Sequence, residues 1–168
     1  MTLAYEPIRK LLATDVLDDF DCGKPDLNQF LHRYALINQK ASGAQTYVCC
    51  NAGKVVGFYS LAAGSVVPDA APPRISKGLA RHPVPALILA RLAVDRNHQN
   101  RGLGKALLKD ALLRTAQAAD IVGIRCLLVH AQDEAARRWY AKWDFEPSPT
   151  DPYHLFLLLK DLKAALAG

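Results

Sequence analysis

The segment with the clearest chemical content in this 168-residue chain is Gln99-Asn100-Arg101-Gly102-Leu103-Gly104. It lies between an apolar run and an amphipathic one, where a strand would hand over to a helix. The first turn of a helix presents amide N–H groups that lack intrahelical acceptors, at the positive end of the helix dipole. Glycines at that point let an anion such as phosphate come close to the backbone. Gly102 is expected to supply the close approach or a positive φ, and Gly104 to keep one face of the helix bare. Local charge agrees: from Arg91 to Lys109 the basic residues are Arg91, Arg96, Arg101, Lys105 and Lys109, against the single acid Asp95. The P-loop spacing is absent, and the third glycine of a dinucleotide fingerprint would fall on Leu107, so neither ATP nor NAD is indicated. An isolated Gly-x-Gly also fits a plain tight turn. A second chemical candidate is Tyr140, next to Trp139 and five residues before Phe145, which taken alone reads equally well as an amphipathic core residue.

Periodicity supplies the elements that would hold these groups. Tyr5 to Leu11 reads as a first strand, and Asp21, Cys22, Gly23 and Pro25 lead into a helix with Leu27, Phe30, Leu31, Tyr34 and Ala35 on one face. Gln45 to Cys50 and Val55 to Leu61 flank a short glycine-containing turn and predict a β-hairpin. Pro68 to Pro83 reads as a long connection with little regular structure. Ala86 to Val94 predicts a central strand, Gly102 to Ala119 a helix, Arg125 to His130 a strand, Asp133 to Trp143 a helix and His154 to Lys160 a last strand. The expectation is one α/β domain over residues 1–168, with a mixed central sheet flanked by helices.

Arg91 to Gly104, RLAVDRNHQNRGLG, resembles the acetyl-CoA-binding motif of the GNAT superfamily of N-acetyltransferases, Gln/Arg-x-x-Gly-x-Gly/Ala after a strand carrying LAV. The resemblance implies that Gln99, Asn100, Arg101, Gly102, Leu103, Gly104 and Lys105 hold the cofactor pyrophosphate. It also implies that the backbone of Leu92, Ala93 and Val94 pairs with the pantetheine arm. Tyr140 matches the family's tyrosine, which assists the departing thiolate. Two positions depart from the pattern: Asp144 stands for a glycine before Phe145, and Asp133 for an asparagine at the helix start that would contact the pantetheine.

FDCGKPDLNQFL at Phe20 to Leu31 and FEPSPTDPYHLFLLLKDL at Phe145 to Leu162 are similar to the GNAT toxins of bacterial toxin–antitoxin modules, the TacT/AtaT type. That likeness implies acetylation of the α-amine of aminoacyl-tRNA, a block of translation, a ribbon-helix-helix antitoxin that brings operator DNA, and a homodimer. A GNAT enzyme acting on a small-molecule amine or on a protein N-terminus or lysine remains the alternative, and a non-catalytic acyl-CoA binder is a third reading. An α-amine has a pKa of roughly 7.7 to 8.0, against about 10.4 for lysine, so it is partly neutral near pH 7 and needs no strong base.

With 21 Lys and Arg against 16 Asp and Glu, the net charge of +5 favours an anionic partner. Arg74, Lys77, Arg81 and Arg91, with His82, Lys40 and Arg33 nearby, are the candidate phosphate contacts to tRNA. The five histidines are scattered, and Cys22, Cys49, Cys50 and Cys126 lack CxxC spacing. No metal is expected, and the cysteines read as reduced packing residues, Cys49 and Cys50 on opposite strand faces. No apolar run reaches membrane-spanning length and no secretory leader is legible, so a cytoplasmic location with no membrane partner is expected.

Overall fold

The computed structural model describes residues 5–79 and 82–168. Its elements in chain order are β1 (Arg9–Lys10), α1 (Pro25–Gln29), α2 (Ala35–Lys40), β2 (Gln45–Asn51), β3 (Lys54–Val66), α3 (Pro73–Ser76), β4 (Val84–Val94), α4 (Leu103–Ala119), β5 (Cys126–His130), α5 (Glu134–Ala141), β6 (Glu146–Pro147), β7 (His154–Leu158) and α6 (Leu159–Ala167). The strands form one seven-stranded mixed sheet in the order β1-β2-β3-β4-β5-β7-β6. β4 and β5 run parallel, while β1–β2, β2–β3, β5–β7 and β6–β7 are antiparallel. By internal contacts the chain divides into two units, Met1–Ala62 with Ala90–Ala111 and Ala63–Leu89 with Leu112–Gly168.

In the first unit the hairpin forms as its turn residues require. Ala52 and Gly53 both take positive φ, 52° and 77°, the two left-handed positions of a turn whose twist suits the strands on either side. The ladder slips between Cys49, opposite Gly57, and Cys50, opposite Val55, which leaves Val56 as an extra residue. This bulge shifts the alternation so that Val55 and Phe58, three residues apart, both enter the same core with Val48 and Cys50. Leu27, Phe30, Leu31 and Ala35 close that core from the helical side. Tyr34, expected on the buried face, is 48% exposed. The cause is a π-helical turn over Phe30–Tyr34, whose wider winding rotates Tyr34 outward. The first strand is shorter than expected: regular pairing is confined to Arg9 and Lys10. Pro7 has no N–H to give to a ladder, and before it the Glu6 N–H bonds to the Cys50 carbonyl at 2.9 Å while the Tyr5 hydroxyl pairs with His98 Nδ1 at 3.0 Å.

The second unit packs Ala71, Ile75, Val84, Ala86, Cys126, Leu128, Phe156 and Leu158 into one core. Alternate residues of β4, β5 and β7 supply one face of the sheet. Ala71 and Ile75 correct the expectation of an unstructured connection from Pro68 to Pro83. A 3-10 turn at Pro68–Ala70 and the short helix α3 bury them against the sheet. Arg125 locks that segment by donating from Nε to the Ile75 carbonyl at 2.9 Å and from a terminal nitrogen to the Lys77 carbonyl at 3.1 Å. The last strand ends at Leu158, and α6 follows with Leu162 fully buried. The unbroken apolar run Leu155 to Leu159 conceals that change in the sequence.

Candidate active site

The approach to the Gln99–Gly104 segment is set by Asp95, the buried acid that follows β4. One of its carboxylate oxygens accepts the Asn97 N–H at 2.9 Å and starts a 3-10 turn at Arg96–His98; the other accepts the Asp21 N–H at 3.0 Å. Asn100 and Gly102 then take positive φ, 62° and 82°. Asparagine tolerates that region and glycine occupies it without strain. A Cβ built on Gly102 would meet no protein atom within 4 Å, so space over this residue is open. The first α4 bond runs from the Ala106 N–H to the Gly102 carbonyl at 3.1 Å, and the amides before it point out of the helix end. Gly57 of β3 brings that end close, since a Cβ there would lie 3.0 Å from Leu107 Cδ1 and 3.3 Å from Leu103 Cδ2.

Gln99 has a different part from the rest of the turn. Its side-chain amide donates to the Val94 carbonyl at 3.0 Å and to the Cys22 carbonyl at 3.2 Å. The side chain therefore ties the turn to the Asp21–Asn28 loop, leaving only its backbone for a ligand. That loop is itself cross-braced. Asp21 accepts from Gly23 N–H at 2.8 Å and from the Asn28 amide at 2.9 Å, and Asn28 accepts from Cys22 N–H at 2.9 Å. The Arg96 N–H reaches the Asp21 carbonyl at 2.9 Å. Sequence reasoning did not assign these residues a role at the site. The available signal was Asp-Cys-Gly followed by Asn, a side-chain-stabilised turn that needs a partner to be worth building.

Tyr140 sits in α5 of the second unit and is 8% exposed. Trp139 meets it edge-on at 4.9 Å between ring centroids, and Phe145 does so at 5.5 Å. Burial pushes the phenol above its ordinary pKa. Among the described residues its hydroxyl makes no hydrogen bond. The group is a neutral donor without an acceptor among the described residues. Asp133, at the start of the same helix, accepts the Ala136 N–H at 2.8 Å and caps α5.

Residues 42–147 match the acetyltransferase (GNAT) domain family. The chain belongs to the GNAT family. It is 47% identical over 162 residues to the tRNA-acetylating toxin of Mycobacterium tuberculosis (strain ATCC 25618 / H37Rv), covering 96% of this chain and 97% of that one. Its structure is similar to that of AtaT complexed with acetyl-methionyl-tRNAfMet, with a TM-score of 0.89, 28% identity and coverage of 96% and 99%. It is also similar to a tyrosine-to-phenylalanine variant of AtaT bound to acetyl-CoA and the C-terminus of the antitoxin AtaR, with a TM-score of 0.83, 27% identity and coverage of 98% and 99%.

In this GNAT chain the first unit holds Leu92, Ala93 and Val94 on β4 and Asn100, Arg101, Gly102, Leu103, Gly104 and Lys105 at the helix entry. The second holds Tyr140. Of the basic residues, Arg74 is engaged by Asp161 at 2.9 Å and Glu146 at 3.3 Å, so its charge is locally matched. Lys77 is exposed, Arg81 lies outside the described residues, and Arg91 is partly buried. The four cysteines are free. Burial pushes the Cys49 thiol up to about 11, so at neutral pH it packs as a thiol. Among the described residues no group of three metal-ligating side chains is present, and no helix is long and apolar enough to cross a membrane.

Proposed function

We propose that this protein is a toxin of the tRNA-acetylating type, transferring acetyl from acetyl-CoA to the α-amine of an aminoacyl-tRNA and so stopping translation. The observation that carries the reading is its near-full-length similarity to the mycobacterial tRNA-acetylating toxin. The geometry of the first unit fits the cofactor. The open helix entry at Gly102 takes the pyrophosphate on backbone amides, and Arg101 adds charge. The Leu92–Val94 backbone positions the pantetheine arm by strand-like pairing.

Tyr140 supplies a hydrogen bond to the departing sulfur. Its buried phenol stays protonated at any working pH, and because burial disfavours tyrosinate, the hydroxyl stabilises the thiolate by donating rather than by giving its proton away. The α-amine enters as the neutral nucleophile, its lone pair attacks the acetyl carbon, and the C–S bond breaks. The ammonium proton formed on the amide nitrogen leaves to solvent. Lys77, Arg81 and Arg91 contact tRNA phosphates. The proposal includes a ribbon-helix-helix antitoxin, operator DNA reached through it, a homodimer and a cytoplasmic location. Translation in vitro with and without acetyl-CoA tests the reading: arrest that requires acetyl-CoA is expected, and uninterrupted synthesis would move the protein to GNAT enzymes of small amines or proteins.

A further inference from the structure

Arg91 is the anomaly of the first unit. Its guanidinium carbon lies 3.8 Å from the centroid of the Phe30 ring, and burial alone lowers its pKa, with no acid opposing the shift. Among the described residues it makes no hydrogen bond or ion pair. The acid four residues along, Asp95, has its two oxygens occupied by the Asp21 and Asn97 amides. A partly desolvated cation with five donors and no anion is costly unless a ligand supplies one. Stacking on an aromatic face leaves the planar fork pointing edge-on to whatever arrives. The Phe30 plate is itself set by the π-helical turn that begins at that residue, an irregularity often found at functional sites.

Resting on the tRNA-acetylating reading, we propose that Arg91 is the receptor for one specific anion, the phosphodiester that joins the last two nucleotides of the charged acceptor end. Arg91 directly precedes Leu92–Val94, the strand assigned to the acetyl-bearing arm, and strand residues advance by only about 3.3 Å each. The α-amine must reach that strand. On a charged tRNA the nearest anion to the α-amine is the phosphate beyond the ester and the terminal ribose. A bidentate grip there fixes the terminal nucleotide and hence the amine. Arg91 thus acts as a specificity-determining residue that recognises an amine carried on RNA.

The test is a double-mutant cycle on the intact protein. Charged acceptor-stem minihelices carry either a normal terminal phosphodiester or a neutral methylphosphonate at that linkage. Arg91→Met keeps an unbranched stem over Phe30 and removes the charge; Arg91→Lys restores a charge without the fork. For wild type the methylphosphonate should lower kcat/KM by roughly 10- to 100-fold, the range of a charge-assisted hydrogen bond. Arg91→Met should lose the same factor on the normal minihelix and lose nothing further on the neutral one. Arg91→Lys should recover part of the loss, and acetyl-CoA affinity should be the same in all three proteins. Additive losses from substitution and methylphosphonate, or a fall in acetyl-CoA affinity, would overturn the assignment. Wild type that acetylates no charged minihelix or tRNA removes the tRNA reading itself, and the Arg91 assignment with it.

Discussion

The turn that opens α4 and the helix that carries Tyr140 obtain their chemistry from different sources. At the turn the exposed groups are backbone amides, and local residues set their direction: Asp95 caps, Asn100 and Gly102 turn left-handed, and Gln99 ties the loop down. Tyr140 is an ordinary phenol whose properties come from packing by Trp139 and Phe145 and from burial. Backbone sites are therefore specified by short sequence, whereas a desolvated side chain takes its character from residues brought to it by the fold.

If that contrast is right, the two regions fail in different ways. Gly102→Glu places bulk and negative charge in the open space over the turn, and acetyl-CoA affinity should fall by about 10³-fold or more in a folded protein. Calorimetric titration measures it, and retained affinity would break the backbone assignment. Tyr140→Phe keeps the ring packing and should leave acetyl-CoA affinity intact while turnover falls by ~10²-fold or more. The wild-type rate should rise with pH as the α-amine deprotonates near ~8 and hold its plateau to at least about pH 10, because burial raises the phenol pKa. A descending limb below pH 10, with the amine fully neutral, would contradict a buried phenol donor.

Smaller effects sharpen the contrast. Asn28→Ala cuts the brace behind Gln99 without touching the turn, and should raise the acetyl-CoA KM a few-fold and cost about 1–2 kcal/mol of stability, read by denaturant titration. Asp133→Ala removes the α5 helix cap, so about 1 kcal/mol of stability should go while acetyl-CoA affinity stays within twofold. A larger affinity loss would restore Asp133 to the cofactor site.

Much of this was legible in the sequence, for reasons specific to each element. The hairpin, β4, α4 and the turn between them follow from alternation, helical period and glycine placement, all of which are local. Ala71 and Ile75 were not legible because two buried side chains in a proline-rich stretch produce no periodicity; their partners, such as Arg125 at the Ile75 carbonyl and Phe156 in the core, come from far along the chain. The outward turn of Tyr34 depends on the π-helical winding, and the bulge at Val56 on register with a partner strand. At the turn, the positive φ of Gly102 was readable. The neutralisation of Arg74 by Glu146 and Asp161 was not, since those acids lie 72 and 87 positions away in sequence.

The central claim concerns where the acetyl group ends up. A pool of charged tRNAs incubated with acetyl-CoA and either the wild-type protein or the Tyr140→Phe variant, then hydrolysed and analysed by mass spectrometry, tests it most directly. The account predicts amino acids bearing one acetyl group on the α-nitrogen with wild type, and far fewer with the variant. Unmodified amino acids in both, with a free amine or a peptide acetylated instead, would contradict it.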